Sequence, residues 1–365
     1  MEKMKWTAIC LFIFVVVFHR DVYACTADEL ILVQMISRHG DISPSELYPE
    51  DPNSADVWKE GLEDLTLKGK FQCYALGCYI RARYEGFITS DPNEVEVLSA
   101  SKRHCVNSAQ SLVTALYAPN SDWEIIQKFP WQPIFIQYGN ETIEKCLNNL
   151  PCPSADEETR RILSEEKNML ENYEALIYFW KENSGLNFES LKDIESLFDI
   201  IQMEAKYSLN VPTWAQTYWN YLGYLHDLSF MLKLKTNQQK RLRGGPLIDL
   251  VLEKMKKKAS NELEKTKVFL YSTYGLNIAA YLSALGLWNG LEPESCATVL
   301  IELYRRQDNH YVRHLYLNST TPEREPQQYH LLTVPGCSEF CPLDYIMDIT
   351  TDMIPQNWDE ECQLV

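Results

Sequence analysis

The run ELILVQMISRHG, Glu29 to Gly40, limits the fold more than any other stretch of the chain. Leu30 to Ile36 is short and mainly apolar and ends in a polar turn, the pattern of a buried strand. Such a strand delivers Arg38 and His39 to its carboxyl end. The segments that follow alternate in kind. LTLKGKFQCYALGCYIRARYEGF carries Phe71, Tyr74, Ala75 and Cys78 at helical spacing, which predicts a helix with those residues as its apolar stripe. EVEVLSAS predicts a second strand, and SAQSLVTALYAP a second helix closed by Pro119. KVFLYSTYG, Lys267 to Gly275, predicts another buried strand, and LNIAAYLSALGLW the helix after it. SCATVLIELYRR and HYVRHLYLN read as late strands. Strands alternating with helices predict an α/β domain with its chemistry at the strand ends.

From about Cys146 to Gln239 the pattern changes. It is helical, rich in Glu, Lys and aromatic residues, and interrupted by LNVPTW. We read 146–239 as an α-helical cap inserted into an α/β domain built from 25–145 and 240–365. The joins fall near LPCPS and RLRGGPL, both of which carry turn chemistry. The formal charge of -17 over 365 residues argues against nucleic-acid or anionic-membrane binding, since both need a basic surface.

Residues 1–24 read as a signal peptide: Lys3 and Lys5, then the apolar run Trp6 to Phe18, then small cleavage-site residues in VYA, Val22 to Ala24. The apolar run is too short to span a bilayer and no second one follows, so a secreted protein without a membrane anchor is expected. Cysteine usage agrees. Cys10 leaves with the signal peptide, and ten of the eleven cysteines remain, an even number for an oxidising compartment. PGCSEFCP reads as a short loop closed by a Cys337–Cys341 disulfide, and Cys362 as a tie for the tail, with Cys152 the preferred partner. No Cys/His pairing at zinc spacing supports a metal site, so neither a metal nor another cofactor is expected. Asn140-Glu141-Thr142 and Asn318-Ser319-Thr320 are glycosylation sequons.

SRHGDISP, the LTLKGKFQCYALGCYIRARY helix with Thr66, Gly69, Tyr74, Leu76, Gly77, Arg81 and Tyr84, then ALYAP, WQPI, PTW, GGPL and PGCSEFCP occur in the order of one family. On these motifs the chain resembles the histidine acid phosphatases, and among them the insect venom acid phosphatases. The resemblance covers essentially the whole mature chain and implies a three-layer α/β fold with a helical cap, and a possible homodimer. It also implies two-step phosphomonoester hydrolysis. One histidine attacks phosphorus, arginines hold the equatorial oxygens, a second histidine assists, and an acid beside it protonates the leaving oxygen. Phosphoryl transfer is mostly positioning and charge stabilisation, which is why such a site needs several guanidinium groups and a proton donor.

Against that pattern, Arg38 and His39 are present, with His39 at the nucleophile position. The second arginine, two residues after the glycine, is replaced by Ile42, which has no group to bond phosphate. Asp41 beside it is read as a surface-loop residue. The third arginine, four residues before a serine, aligns with His104 when counted back from Ser108, with Arg103 one place early. One residue is a rotation of about 100° on a helix, so Arg103 need not reach the phosphate and His104 is a weaker, pH-dependent donor. The histidine and acid expected after the third buried strand are Tyr274 and Gly275. YLHDLSF contains His226-Asp227, the dipeptide absent at 274–275, but inside the cap, and it reads as a helix with a partly exposed polar pair. His310 and His314 read as ordinary surface or packing histidines. Three functions follow in order of expectation: a secreted family member with impaired catalysis that binds a phosphorylated or other anionic small molecule, an active acid phosphatase with substituted residues, or a surface-interaction protein that does not use the pocket.

Overall fold

A computed structural model describes residues 28–120, 122–165, 173–318, 321 and 327–364. The expected signal peptide, Cys25 and the sequon residues Ser319 and Thr320 lie outside them.

The opening strand β1, Glu29–Arg38, has six consecutive buried residues and lies inside an eight-stranded mixed sheet. With β2 at Val95–Ser99, β3 at Ile136–Gln137, β4 at Val268–Thr273, β5 at Thr298–Arg306, β6 at Asn309–Leu317 and β7 at Tyr329–Leu332, the order is β3-β2-β4-β1-β5-β6-β7. The first four are parallel, β5 to β7 are antiparallel, and a two-residue β8, Cys341–Pro342, pairs with β6. Side chains alternate across β1 as the strand period requires. Leu32 and Ile36 enter one core with Ile248, Val251 and Ile278, and Val33 and Met35 enter a second with Leu76, Ile80 and Leu112. Helices α1 (Leu67–Arg83) and α2 (Arg103–Leu116) therefore cover one face. Further along the chain come α3 (Glu141–Leu147), α4 (Pro153–Glu165), α5 (Glu174–Ser184), α6 (Leu191–Lys206), α7 (Thr213–Thr217), α8 (Trp219–Leu232), α9 (Asn237–Ala259) and α10 (Gly275–Ala284). Helices α9 and α10 cover the opposite face, giving three layers. The helices between 153 and 232 share a core of their own around Trp180, Leu197, Ile201, Leu222 and Leu225.

Three sequence expectations change here. The α1 helix is present, but Phe71, Tyr74 and Cys78 are on its exposed side, and the buried face is Gly69, Gln72, Cys73, Leu76, Gly77 and Ile80. That face is chosen by close approach: a β-carbon on Gly77 would meet the Leu112 carbonyl oxygen of α2 at 2.3 Å. RLRGGPL is not a turn, since α9 runs straight through it and through the 239/240 boundary. Its glycines serve packing, Gly244 against the Ala280 carbonyl of α10 and Gly245 against the Met353 carbonyl. The even cysteine count does not give a fully paired framework. Cys152–Cys362 and Cys337–Cys341 are bonded, while Cys73, Cys78, Cys105, Cys146 and Cys296 are free thiols. No helix among the described residues is long and apolar enough to cross a membrane.

Candidate active site

Parallel strands β1 and β4 end side by side, with Arg38 in register with Thr273. The His39 N–H donates to the Thr273 carbonyl (3.1 Å) and the Arg38 N–H to that of Ala297 (2.9 Å), so the two side chains leave the sheet at its carboxyl edge from a fixed backbone. Two glycines let the next turn of chain lie against α1. A β-carbon on Gly40 would sit 2.4 Å from the Gly69 carbonyl oxygen, and one on Gly69 would sit 2.3 Å from that of Asp41. Ser108 of α2 holds the same turn, accepting from the Gly40 N–H (3.1 Å) while its hydroxyl donates to the His104 carbonyl (2.7 Å).

Asp41 is not a surface residue. It is 1% exposed, its N–H donates to Gln72 Oε1 (2.9 Å), and its carboxylate takes Gln72 Nε2 (3.0 Å) and Lys206 Nζ (2.5 Å). A buried carboxylate is tolerated because every one of these partners offsets its desolvation. It joins the His39–Gly40 turn to the end of α6. Nothing local to Asp41 signals this, because Lys206 lies 165 residues away.

His39 is buried, and its Nδ1 lies 2.8 Å from the Gly40 carbonyl. A carbonyl only accepts, so Nδ1 carries the proton and Nε2 keeps its lone pair. Burial, then the charge of Arg38, hold the imidazole well below its ordinary pKa. A neutral, oriented imidazole is what a nucleophile at this position requires. His104 stands edge-on to it at 4.7 Å between ring centres, and Tyr274 stands edge-on to both at 5.9 and 5.8 Å. His104 is itself held below its usual range by burial, and burial pushes the Tyr274 hydroxyl up, so these rings add neither a cation nor an acid near neutrality. Ile42 lines the cavity in front of them. Arg103, a candidate for binding phosphate, does not: its side chain is 73% exposed and paired with Asp64.

Arg38 lines the cavity but is already engaged. Its guanidinium pairs with Glu292 Oε1 at 2.9 Å and donates to the Pro293 carbonyl. A β-carbon at Gly275 would lie 3.3 Å from Glu292 Oε1 and 3.4 Å from Arg38 Cδ, so this pair fills the space beside the position where the family places its acid. Against the sequence expectation, His226 belongs to the same cavity. It is 4% exposed, with Nε2 3.1 Å from Asp199 Oδ1 and 3.3 Å from Glu292 Oε2, and Nδ1 3.1 Å from Asp227 Oδ1. Burial opposes its charge, but the carboxylates of Asp199 and Glu292 push it up to about 11. Burial also opposes ionisation of Glu292, yet Arg38 and His226 bring it down to about 2. The dipeptide was misread because periodicity marks which face of a helix is apolar, not which neighbour that face meets. Packing of α8 on α6 supplies Asp199, and the loop after α10 supplies Glu292.

The cavity, about 1060 Å³, is lined by Glu46, Glu63, Asp199, Asp227, Glu292 and Glu294 against the cations Arg38, Lys206 and protonated His226, with Lys206 bonded to Asp41. Asn318 also lines its wall, while Asn140 caps α3, its side-chain oxygen accepting from the Ile143 N–H.

The chain belongs to the histidine phosphatase superfamily (branch 2), whose model matches residues 29–317. Among its named relatives are human prostatic acid phosphatase, 33% identical over 96% of this chain and 92% of that protein, and Xenopus laevis lysosomal acid phosphatase, 30% identical over 92% and 79%. In three dimensions it superposes on the apo phytase of Hafnia alvei with a TM-score of 0.68 at 15% identity, covering 92% of this chain and 98% of that one. The last likeness is one of fold.

Proposed function

We propose that this chain is an exported member of the acid phosphatase group in which phosphomonoester hydrolysis is strongly impaired, and that its cavity serves to bind a ligand. The observation that carries this reading is the state of Arg38. The arginine retained at the site is neutralised by Glu292, in a cavity where carboxylates outnumber cations. An arginine stabilising a phosphoryl transition state is worth about 10³–10⁵ in rate, and a general acid about 10²–10⁴. Ile42, Tyr274 and Gly275 supply neither. These losses are not additive, yet a site lacking several of them falls by orders of magnitude. The same charge distribution weighs against the phosphorylated or anionic ligand suggested by descent, and favours a ligand that brings positive charge. Two disulfides and the lysosomal naming of relatives support export.

One observation favours a second reading, an active phosphatase with substituted groups: the protonated His226, flanked by Asp199 and Asp227, is a proton donor in the same cavity. The test is hydrolysis of a chromogenic aryl phosphate from acidic to neutral pH by the disulfide-intact protein, His39→Ala and His226→Gln. Rates for the protein within a few-fold of His39→Ala are expected. A rate that depends on both His39 and His226 overturns the impaired reading in favour of the second.

A further inference from the structure

The cavity holds a constellation that phosphomonoester chemistry at His39 does not use. Asp199 comes from α6, His226 from α8 and Glu292 from the loop after α10, and one donor atom from each lies within 4.8 Å of the others. The two nitrogen-to-oxygen separations are 3.1 and 3.3 Å. Tetrahedral zinc holds N and O donors at about 2.0–2.2 Å, which spaces them roughly 3.3–3.6 Å apart, so the ring nitrogen already stands within a few tenths of an ångström of that spacing from each carboxylate oxygen. On the far side of the ring, Nδ1 is 3.1 Å from Asp227 Oδ1. That is the carboxylate–histidine arrangement that fixes the tautomer and orientation of a metal-ligating imidazole. The buried ring cannot turn away, since it also packs on Phe198 at 5.3 Å.

Charge points the same way. Without an ion, a single Nε2 proton faces two carboxylates, and Arg38 reaches only one oxygen of Glu292. Asp199, Asp227 and Glu292 bring three negative charges to a place where His226 and Arg38 bring two positive ones.

We propose that Asp199, His226 and Glu292 bind a divalent transition-metal ion of the zinc type, with Asp227 as the positioning residue for His226. The step balances as an exchange: the ion takes the Nε2 lone pair, and the Nε2 proton leaves to solvent. One nitrogen and two carboxylate oxygens suit zinc better than calcium or magnesium, which prefer all-oxygen shells. The expectation of no metal, drawn from Cys and His spacing, could not anticipate ligands contributed by three distant segments. This deepens the binding reading of the cavity and rests on it.

The experiment is calorimetric titration of zinc chloride into the full secreted protein after dialysis against a chelator, with cobalt substitution followed in the visible spectrum. One ion per chain, released protons and the intensified d–d bands of a low-coordinate cobalt site are expected, with no comparable calcium binding. Asp199→Asn, at the exposed mouth of the cavity and so compatible with folding, should weaken zinc about tenfold or more, and Asp227→Asn about 10-fold as an outer partner. Absence of binding, or binding that Asp199→Asn and His226→Gln leave unchanged, overturns the proposal. Hydrolysis is measured on the same samples. Zinc binding beside a His39-dependent rate sinks the impaired-phosphatase reading and leaves the metal site standing. Background hydrolysis with no zinc binding does the reverse.

Discussion

His39 owes its readiness to a single carbonyl and a pair of missing side chains. The Gly40 carbonyl sets the tautomer, and Gly40 and Gly69 allow the turn that carries it to lie against α1. Gly40→Ala would drive a β-carbon to 2.4 Å from the Gly69 carbonyl oxygen of α1, which a rotamer change cannot relieve. Overpacking of this kind typically costs about 1–3 kcal/mol. Thermal unfolding of Gly40→Ala should show a lowered midpoint of that size, and an unchanged midpoint would mean that the two segments are not in this contact. Sequence reading found His39 and Arg38 because a motif flanks them. It could not find Glu292 or Asp199, which stand in no motif and matter only through what they touch.

At the scale of elements, α6 is the member that ties the helical region to the sheet's active edge. Lys206 reaches Asp41, Asp199 reaches His226, and Glu204 is fully buried between them in sequence. Asn53 donates to one oxygen of Glu204 at 2.7 Å, and the other oxygen has no hydrogen-bond partner. Burial raises Glu204 to about 8, with Asp51 adding to the effect. Its folded pKa thus lies above the unfolded value of about 4.3. Glu204 therefore contributes its full stability below that unfolded value, and the contribution is lost as pH rises from about 4.3 towards 8. Glu204→Gln keeps an acceptor for Asn53 and removes the titration. Its midpoint should match that of the unaltered protein near pH 4 and exceed it at pH 8, by an amount of the order of a few kcal/mol. A constant difference across that range would refute a buried titrating carboxylate. The α1 helix teaches a related lesson. Its existence was legible from apolar spacing, but its buried face was not, because that face is selected by how closely Gly69 and Gly77 let the Gly40–Asp41 turn and α2 approach.

For the whole molecule, the long cross-link matters most. Cys152–Cys362 spans 210 residues and fastens the C-terminal tail beside α4 and α9, with Leu242 and Trp358 packed around it. Closing so long a loop restricts the unfolded chain, and removing such a bond typically costs about 2–5 kcal/mol. The double variant Cys152→Ser/Cys362→Ser should unfold at a lower denaturant concentration by that amount. An unshifted midpoint would show that the tail is held by its packing alone. The free thiols, by contrast, sit mainly inside the core, where they behave as small apolar side chains.

The sequence by itself determined the alternation of strands and helices, the strand that carries Arg38 and His39, the short loop closed by Cys337–Cys341, and the absence of a polar side chain at Ile42 and Gly275. Each of these is local, set by spacing, by residue chemistry or by position within a motif. Only the tertiary structure decided that Asp41 is buried under Lys206, that Arg103 faces solvent, that Glu292 neutralises Arg38, and that His226 enters the cavity. Those outcomes depend on which helix faces pack together and on charges brought close across separations from 27 residues, for Asp199 and His226, to 254, for Arg38 and Glu292. Electrostatic energy depends on distance in space, and the order of residues does not report that distance.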